Sequence, residues 1–77
     1  MLPAPKEKYD RLRELLTEAR EKAGITQVEL GAKLGRPQTF VSKIERGVRR
    51  MDLIEFLEIA RAIGIDPLDF IEEFENR

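Results

Sequence analysis

Residues 26–47 read T-Q-V-E-L-G-A-K-L-G-R-P-Q-T-F-V-S-K-I-E-R-G, and this stretch decides the fold because a glycine separates two short helical patterns. Apolar residues recur at helical spacing on each side of that glycine: Leu30, Leu34, Phe40, Val41 and Ile44. Since each helix has one apolar face, the two faces must pack together. Gly31 leaves room for close approach, and Gly35 can adopt the positive φ that a short turn requires. The stretch therefore predicts a helix-turn-helix.

The rest of the chain predicts three further helices and no strand, so the expected fold class is all-α. The five predicted helices span residues 8–23, 27–34, 37–46, 53–63 and 67–74. Two capping boxes and two prolines mark helix starts: Thr26 with Glu29, Asp52 with Glu55, Pro37 and Pro67. Residues 1–8 contain two prolines and lack a periodic pattern, which predicts a flexible N-terminal arm before a single domain at residues 9–77.

Composition excludes several classes of function. A chain of 77 residues forms one small domain. It has no cysteine and no histidine, so it lacks thiolate ligands, the commonest metal ligand and the usual general base. We therefore expect neither an enzyme nor a metal or other cofactor. No apolar run approaches the roughly 20 residues of a membrane helix, and the N-terminus lacks the apolar core of a signal peptide. The sequence predicts a cytoplasmic protein with no membrane partner.

Charge is distributed unevenly along the chain, although its net value is only −1. Residues 33–51 contain six basic side chains and one acid, Glu45, for a local charge of +5. Residues 52–77 carry −6, and the first 32 residues are balanced. Phosphate contact requires local positive potential rather than a basic isoelectric point. The basic segment is therefore the expected DNA-binding surface, while the acids nearer the C-terminus form either a solvated face or a docking surface.

The spacing T-Q-x-E-L-x-x-K-L-G-x-P-Q-x-x-V-S-K-I-E-x-G, followed by I-A-x-A-I-G, resembles the XRE, or lambda-repressor-like, family of helix-turn-helix regulators. The resemblance extends from about Tyr9 to Phe74. It implies a compact five-helix DNA-binding fold, usually a homodimer on a two-fold-symmetric operator, with helix 3 in the major groove. We therefore expect a sequence-specific transcriptional regulator of double-stranded DNA, most simply a repressor, with no small-molecule ligand.

An alternative from another class is a protein-interaction module, such as an antitoxin or co-regulator, that docks through the acidic half of the same fold. Within the regulator class, the sequence does not distinguish a phage repressor from a restriction-modification control protein or an antitoxin.

The resemblance also assigns the base-contacting residues, which are Gln38, Thr39, Ser42 and Lys43. Gln38 matches the glutamine at the start of the recognition helix, and its amide can both donate to and accept from adenine. Thr39 offers a methyl group to thymine. Lys43 could reach either guanine or only a phosphate. The alternative for all four is a solvated helix face.

The expected phosphate contacts are Gln27, Arg36, Arg46, Arg49 and Arg50. Gln27 matches a family phosphate contact at the first turn of helix 2, where the helix dipole also favours an anion. The four arginines flank the recognition helix in the turn before it and the loop after it. Each arginine alone could equally be solvated, but together they dominate a segment with one acid.

Three further expectations concern structure. Glu45 matches a family glutamate that pairs with an arginine of helix 1, here Arg20. Pro37 and Gly31 depart from the family pattern, since many relatives have a Ser or Thr cap at the first position and alanine is commoner at the second. A last group either forms an exposed dimer contact or closes the core beneath helix 1: Phe70, Ile71 and Phe74.

Overall fold

The computed structural model describes residues 6–76, and this range contains five α-helices and no strand. The helices are α1 (Lys6–Lys22), α2 (Gln27–Leu34), α3 (Gln38–Glu45), α4 (Leu53–Ile63) and α5 (Pro67–Glu75). The expected all-α, five-helix fold class is confirmed. Within residues 6–76, no helix is long and apolar enough to cross a membrane.

Two helix starts, those of α1 and α3, differ from the sequence-based expectation, and three helix ends differ by one residue. Residues 1–5 of the expected arm lie outside the described residues, but residues 6–8 already belong to α1. An ion pair of 3.0 Å between Lys6 Nζ and Asp10 Oδ2, four residues apart, supports this first turn. At α3, Pro37 is the N-cap and not the first helical residue, because its ψ of 158° is extended. The recognition helix therefore begins at Gln38.

Both expected capping boxes form. Thr26 Oγ1 accepts a hydrogen bond of 3.0 Å from the Glu29 amide, and Glu29 Oε1 accepts one of 2.9 Å from the Thr26 amide. Asp52 and Glu55 make the equivalent pair at the start of α4, at 2.8 and 3.0 Å. Each box satisfies two amide groups that a helix start otherwise leaves unpaired, and so fixes where α2 and α4 begin.

The hydrophobic core receives side chains from all five helices. Its buried members are Leu15, Leu16, Leu30, Phe40, Val41, Ile44, Phe56, Ile59, Ala60, Ile63 and Phe70. α2 packs against α3 and α4, and α1 packs against α3 and α5. α3 is thus held by its apolar face between α1 and α2, which leaves its opposite face toward solvent.

Gly31 lies where the backbone after α2 turns back against the helix. A Cβ atom at this position would lie 2.8 Å from the carbonyl oxygen of Arg36 and 3.3 Å from the amide nitrogen of Gln38. Both neighbours are backbone atoms and cannot move aside as a flexible side chain would. Only glycine therefore fits here without a steric clash. Glycine within a helix costs about 0.5 to 1 kcal/mol of stability relative to alanine, but alanine would clash with this backbone.

The C-terminal aromatic residues belong to the core rather than to an exposed patch. Phe70 is 5% exposed, and its ring packs on Phe56 with centroids 5.3 Å apart. Phe74 is half-buried, and the guanidinium of Arg11 lies 5.2 Å from its ring centroid. Of the residues expected as a dimer contact, only Ile71, at 40% exposed, faces solvent appreciably. Of the two alternatives left open for Phe70, its position agrees with the core, because α5 turns this side chain toward α4.

Candidate nucleic-acid interface

The solvent face of α3 carries the residues expected to read bases. Gln38, Thr39 and Lys43 are exposed, and Ser42 is half-buried. The buried residues Phe40, Val41 and Ile44 occupy one face of this eight-residue helix. The polar residues lie on the opposite face because the helical period separates the two sets. Ser42 Oγ accepts a hydrogen bond of 3.1 Å from Nε of Arg46, so that arginine lies along the same face. The four residues therefore form one polar row.

A chain of hydrogen bonds joins this row to the interior. Gln38 Nε2 donates to Gln27 Oε1 at 3.2 Å, and Gln27 Nε2 donates to Glu45 Oε1 at 2.9 Å. Glu45 in turn accepts from Arg20, at 2.6 Å between Oε2 and Nε and at 3.0 Å between Oε1 and Nη2. An exposed glutamine of α3 is thus linked through α2 to an ion pair in the interior.

Arg20 and Glu45, which the family resemblance pairs, form a bidentate contact whose side chains are only 10% and 9% exposed. Arg20 also donates from Nη1 to the carbonyl oxygen of Ile25 at 2.7 Å. The hydrogen bond to Glu45 raises the pKa of Arg20 above its ordinary value, so the guanidinium is charged throughout the working pH range. The pair connects α1 with the C-terminal turn of α3.

Arg13 is a second anchor for α3, and the sequence analysis did not identify it. Its Nη1 donates to the main-chain oxygen of Glu45 at 2.9 Å, at the end of α3. A cation there satisfies a terminal carbonyl and interacts favourably with the helix dipole. The spacing of seven residues from Arg20 is the available sequence signal, because it places both arginines on one face of α1.

The arginines flanking α3 are organised around Phe40. The guanidinium carbons of Arg36 and Arg49 lie 4.6 and 4.7 Å from its ring centroid, within the range of a cation–π interaction. Arg50 makes a similar contact with Tyr9 at 4.2 Å. These ring contacts favour one orientation of each guanidinium, although Arg36 and Arg50 remain exposed to solvent.

Glu55 lies beside Arg36 and Arg49, although the sequence analysis assigned it only to a helix cap. Its carboxylate accepts two hydrogen bonds from Arg49, of 2.9 and 2.8 Å, and lies 4.0 Å from Arg36 Nη2. Arg49, an expected phosphate contact, thus has both terminal nitrogens already bonded to an acid. The sequence carries no local signal for this contact, because Arg49 lies before α4 and Glu55 within it.

Ionisation of Glu55 contributes to stability. The hydrogen bonds from Arg49, followed by the one from the Asp52 amide, lower the pKa of Glu55 from 4.5 to about 2. A carboxylate whose pKa is lower in the folded state stabilises that state fully above its ordinary pKa. This contribution is lost as the pH falls from about 4.5 through about 2.

We expect the melting temperature of a Glu55→Gln variant to lie below that of the parent near neutral pH, because Arg49 loses its ionised partner. The difference should shrink as the pH falls from about 4.5 toward about 2, where the parent carboxylate also becomes neutral. Thermal unfolding of both proteins, followed by circular dichroism between pH 7 and pH 2.5, measures it. Since other acids titrate alike in the two proteins, a pH-independent difference would contradict this role of Glu55.

The fold has a close counterpart among solved structures. A solved structure of an XRE-family-like protein from Pseudomonas syringae pv. tomato superposes with a TM-score of 0.87 and is 53% identical, covering 91% of this chain and 85% of that one. A helix-turn-helix family model matches residues 16–70, from the middle of α1 to α5. The chain belongs to the XRE family of helix-turn-helix transcriptional regulators. The resemblance inferred from the sequence is thereby confirmed.

Two curated relatives are similar over most of this XRE-family chain. The uncharacterized HTH-type transcriptional regulator y4dJ of Sinorhizobium fredii is 35% identical over 52 residues, which cover 68% of each chain. Control protein C.BamHI of Bacillus amyloliquefaciens is 31% identical over 51 residues, which cover 66% of this chain and 63% of the control protein. XRE-family proteins are DNA-binding transcription regulators and not enzymes, so the expected class of function holds.

Proposed function

We propose that this XRE-family protein is a cytoplasmic repressor that binds a two-fold-symmetric operator as a homodimer, with α3 in the major groove. One observation carries the proposal: the exposed row of Gln38, Thr39 and Lys43 lies on the helix at the centre of the basic segment. A major groove admits an α-helix, and these side chains can pair with base edges.

Within that row, each base-contacting residue has a distinct role. Gln38, at the first position of α3, is the candidate for an adenine, because a glutamine amide matches its adjacent donor and acceptor. Thr39 offers a methyl group and a hydroxyl. Ser42 and Lys43 lie one turn further along, where Lys43 can reach a guanine or a phosphate.

The flanking positions would hold the backbone of the DNA. Gln27 is at the first turn of α2, and Arg36, Arg46 and Arg50 surround α3 in the turn and the loop. Such contacts fix the register of the protein without reading sequence. Arg49 would contribute less than a free arginine, because Glu55 neutralises part of its charge.

Apolar side chains on α4 and α5 support a homodimer. The large exposed ones are Leu53 and Ile54, each 64% exposed, Leu68 at 73% and Ile71 at 40%. Such side chains mark a protein contact where they form one contiguous patch. A dimer formed through this part of the chain would be isologous, as a two-fold operator requires.

Selection from a pool of random duplexes tests the function. We expect enrichment of a palindromic motif whose half-sites are centred about 34 Å, or about 10 base pairs, apart. Binding to the selected duplex should weaken steeply between about 50 and 200 mM salt, with a slope near −0.9 per phosphate neutralised. The selected site is then placed across a promoter, and transcription is measured in vitro with and without the protein. A repressor should reduce transcription from this promoter. A pool with no enriched motif would refute operator binding, and salt-independent binding of a protein partner would favour the interaction module.

A further inference from the structure

We propose that the carboxylate of Glu45 determines, through Gln27, which end of the Gln38 amide faces the DNA. Glu45 and Gln27 would then be positioning residues for base recognition, although Glu45 touches no base. This inference rests on the proposed function, because it concerns how Gln38 reads an operator.

The two hydrogen bonds that join Glu45 to Gln27 and Gln27 to Gln38 are called the relay here. Hydrogen-bond chemistry determines which group donates in each of them. An ionised carboxylate can only accept, so the end of Gln27 that faces Glu45 must be its NH2 group. The carbonyl oxygen of the same amide then faces Gln38 and can only accept in its turn. Gln38 must therefore direct its own NH2 group toward Gln27, as the 3.2 Å bond from Nε2 to Oε1 does.

The relay leaves Gln38 with one defined set of free groups, namely its carbonyl oxygen and its second N–H. Adenine presents a donor at N6 and an acceptor at N7 in a fixed order, so a glutamine matches it in one orientation of the amide. An amide free to flip would instead offer two opposite patterns at nearly equal cost. Fixing the orientation before binding also reduces the side-chain entropy that is lost in the complex.

The start of the relay is immobile, which allows it to direct the exposed end. Arg20 binds both oxygens of Glu45, and the two side chains are about nine-tenths buried. Glu45 therefore cannot rotate to offer another group. Gln27 is half-buried and Gln38 is exposed. The fixed orientation of the Glu45 carboxylate therefore sets the orientation of the Gln27 amide and, through it, that of the Gln38 amide at the surface.

The first test replaces Gln27 with methionine, which has a similar length but no amide. The readout is the ratio of affinities for two duplexes that differ only at the base pair read by Gln38, identified as the position whose preference changes in Gln38→Ala. We expect Gln27→Met to reduce this ratio about fivefold per half-site, the value of a weaker bidentate base contact. Loss of a phosphate contact by Gln27 would weaken both duplexes equally and cancel in the ratio. An unchanged ratio would overturn the relay.

The second test separates the direction of the relay from stability. Glu45→Gln replaces the group that can only accept by one that can also donate, so we expect the same loss of preference as in Gln27→Met. Ile59→Val removes a buried methyl group from α4 but leaves every residue of the relay in place, so its ratio should match that of the parent although its melting temperature falls. All ratios are measured well below the lowest melting temperature. Full preference in Glu45→Gln, or equal loss in Ile59→Val, would refute control by Glu45.

Failure of the relay and failure of the proposed function give different results. If the parent protein discriminates among duplexes but Gln27→Met discriminates equally well, only the relay is wrong. If the parent discriminates at no position, operator recognition is refuted and the relay with it.

Discussion

Replacing Arg20 with alanine should lower the free energy of unfolding by about 3 to 5 kcal/mol, the cost of leaving one member of a buried ion pair without its partner. Glu45 would remain about nine-tenths buried, with its two hydrogen bonds to Arg20 lost. The carbonyl oxygen of Ile25 would lose its bond from the same guanidinium. Because the pair joins α1 to α3, the loss affects the packing of the helix proposed to read DNA.

The effect is large for a domain of this size. One kcal/mol corresponds to about 4 to 8 °C in the melting temperature of a 60- to 100-residue domain, so we expect a decrease of more than about 12 °C. Arg61→Ala is a suitable control, because Arg61 is an exposed arginine in the last turn of α4 and should cost less than about 1 kcal/mol. Both are measured by thermal and urea unfolding.

A double variant distinguishes the lost charge partner from lost packing. Arg20→Met combined with Glu45→Leu removes both charges and keeps apolar volume, so we expect it to recover much of the stability lost in Arg20→Ala. The two effects would then be strongly non-additive, as expected for residues in direct contact. An Arg20→Ala protein that melts within about a degree of the parent would show that the buried pair contributes little.

The parts of this surface that were predicted correctly depend on local patterns. The spacing of Phe40, Val41 and Ile44 already determines which face of α3 is buried, and hence that Gln38 and Lys43 are exposed. Capping boxes likewise act within four residues, so they are visible in sequence. The pairing of Arg20 with Glu45 spans 25 residues, and it was available only through the resemblance to a family.

The parts that were missed depend on how separate helices meet. Glu55 contacts Arg49 and Arg36 because the fold brings the start of α4 beside both the α3–α4 loop and the α2–α3 turn, which no spacing within one helix encodes. Phe70 was undecided between core and dimer because the direction of α5 is set by its packing on α4. The start of α3 was placed one residue too early, since proline suits both the first helical position and an extended N-cap.

Replacing Gln38 with alanine should remove base preference at one position of each half-site. A good bidentate contact contributes about 1 to 3 kcal/mol of discrimination, so a homodimer loses it twice on a palindromic operator. Affinity for unrelated duplexes should change little, because Gln38 is proposed to contact a base and not a phosphate. Stability should also be nearly unchanged, since Gln38 is exposed and its bond to Gln27 is a surface contact.

Arg50→Ala is the matched comparison, because Arg50 lies in the loop between α3 and α4 and is proposed to contact only phosphate. It should lower affinity evenly across sequences and reduce the slope of affinity against salt by about one. Competition binding of both variants against duplexes substituted at each operator position separates the two kinds of contact. If Gln38→Ala weakens every duplex by the same factor, Gln38 acts as a backbone contact. Base recognition would then have to lie with Thr39, Ser42 or Lys43, further along the same face of α3.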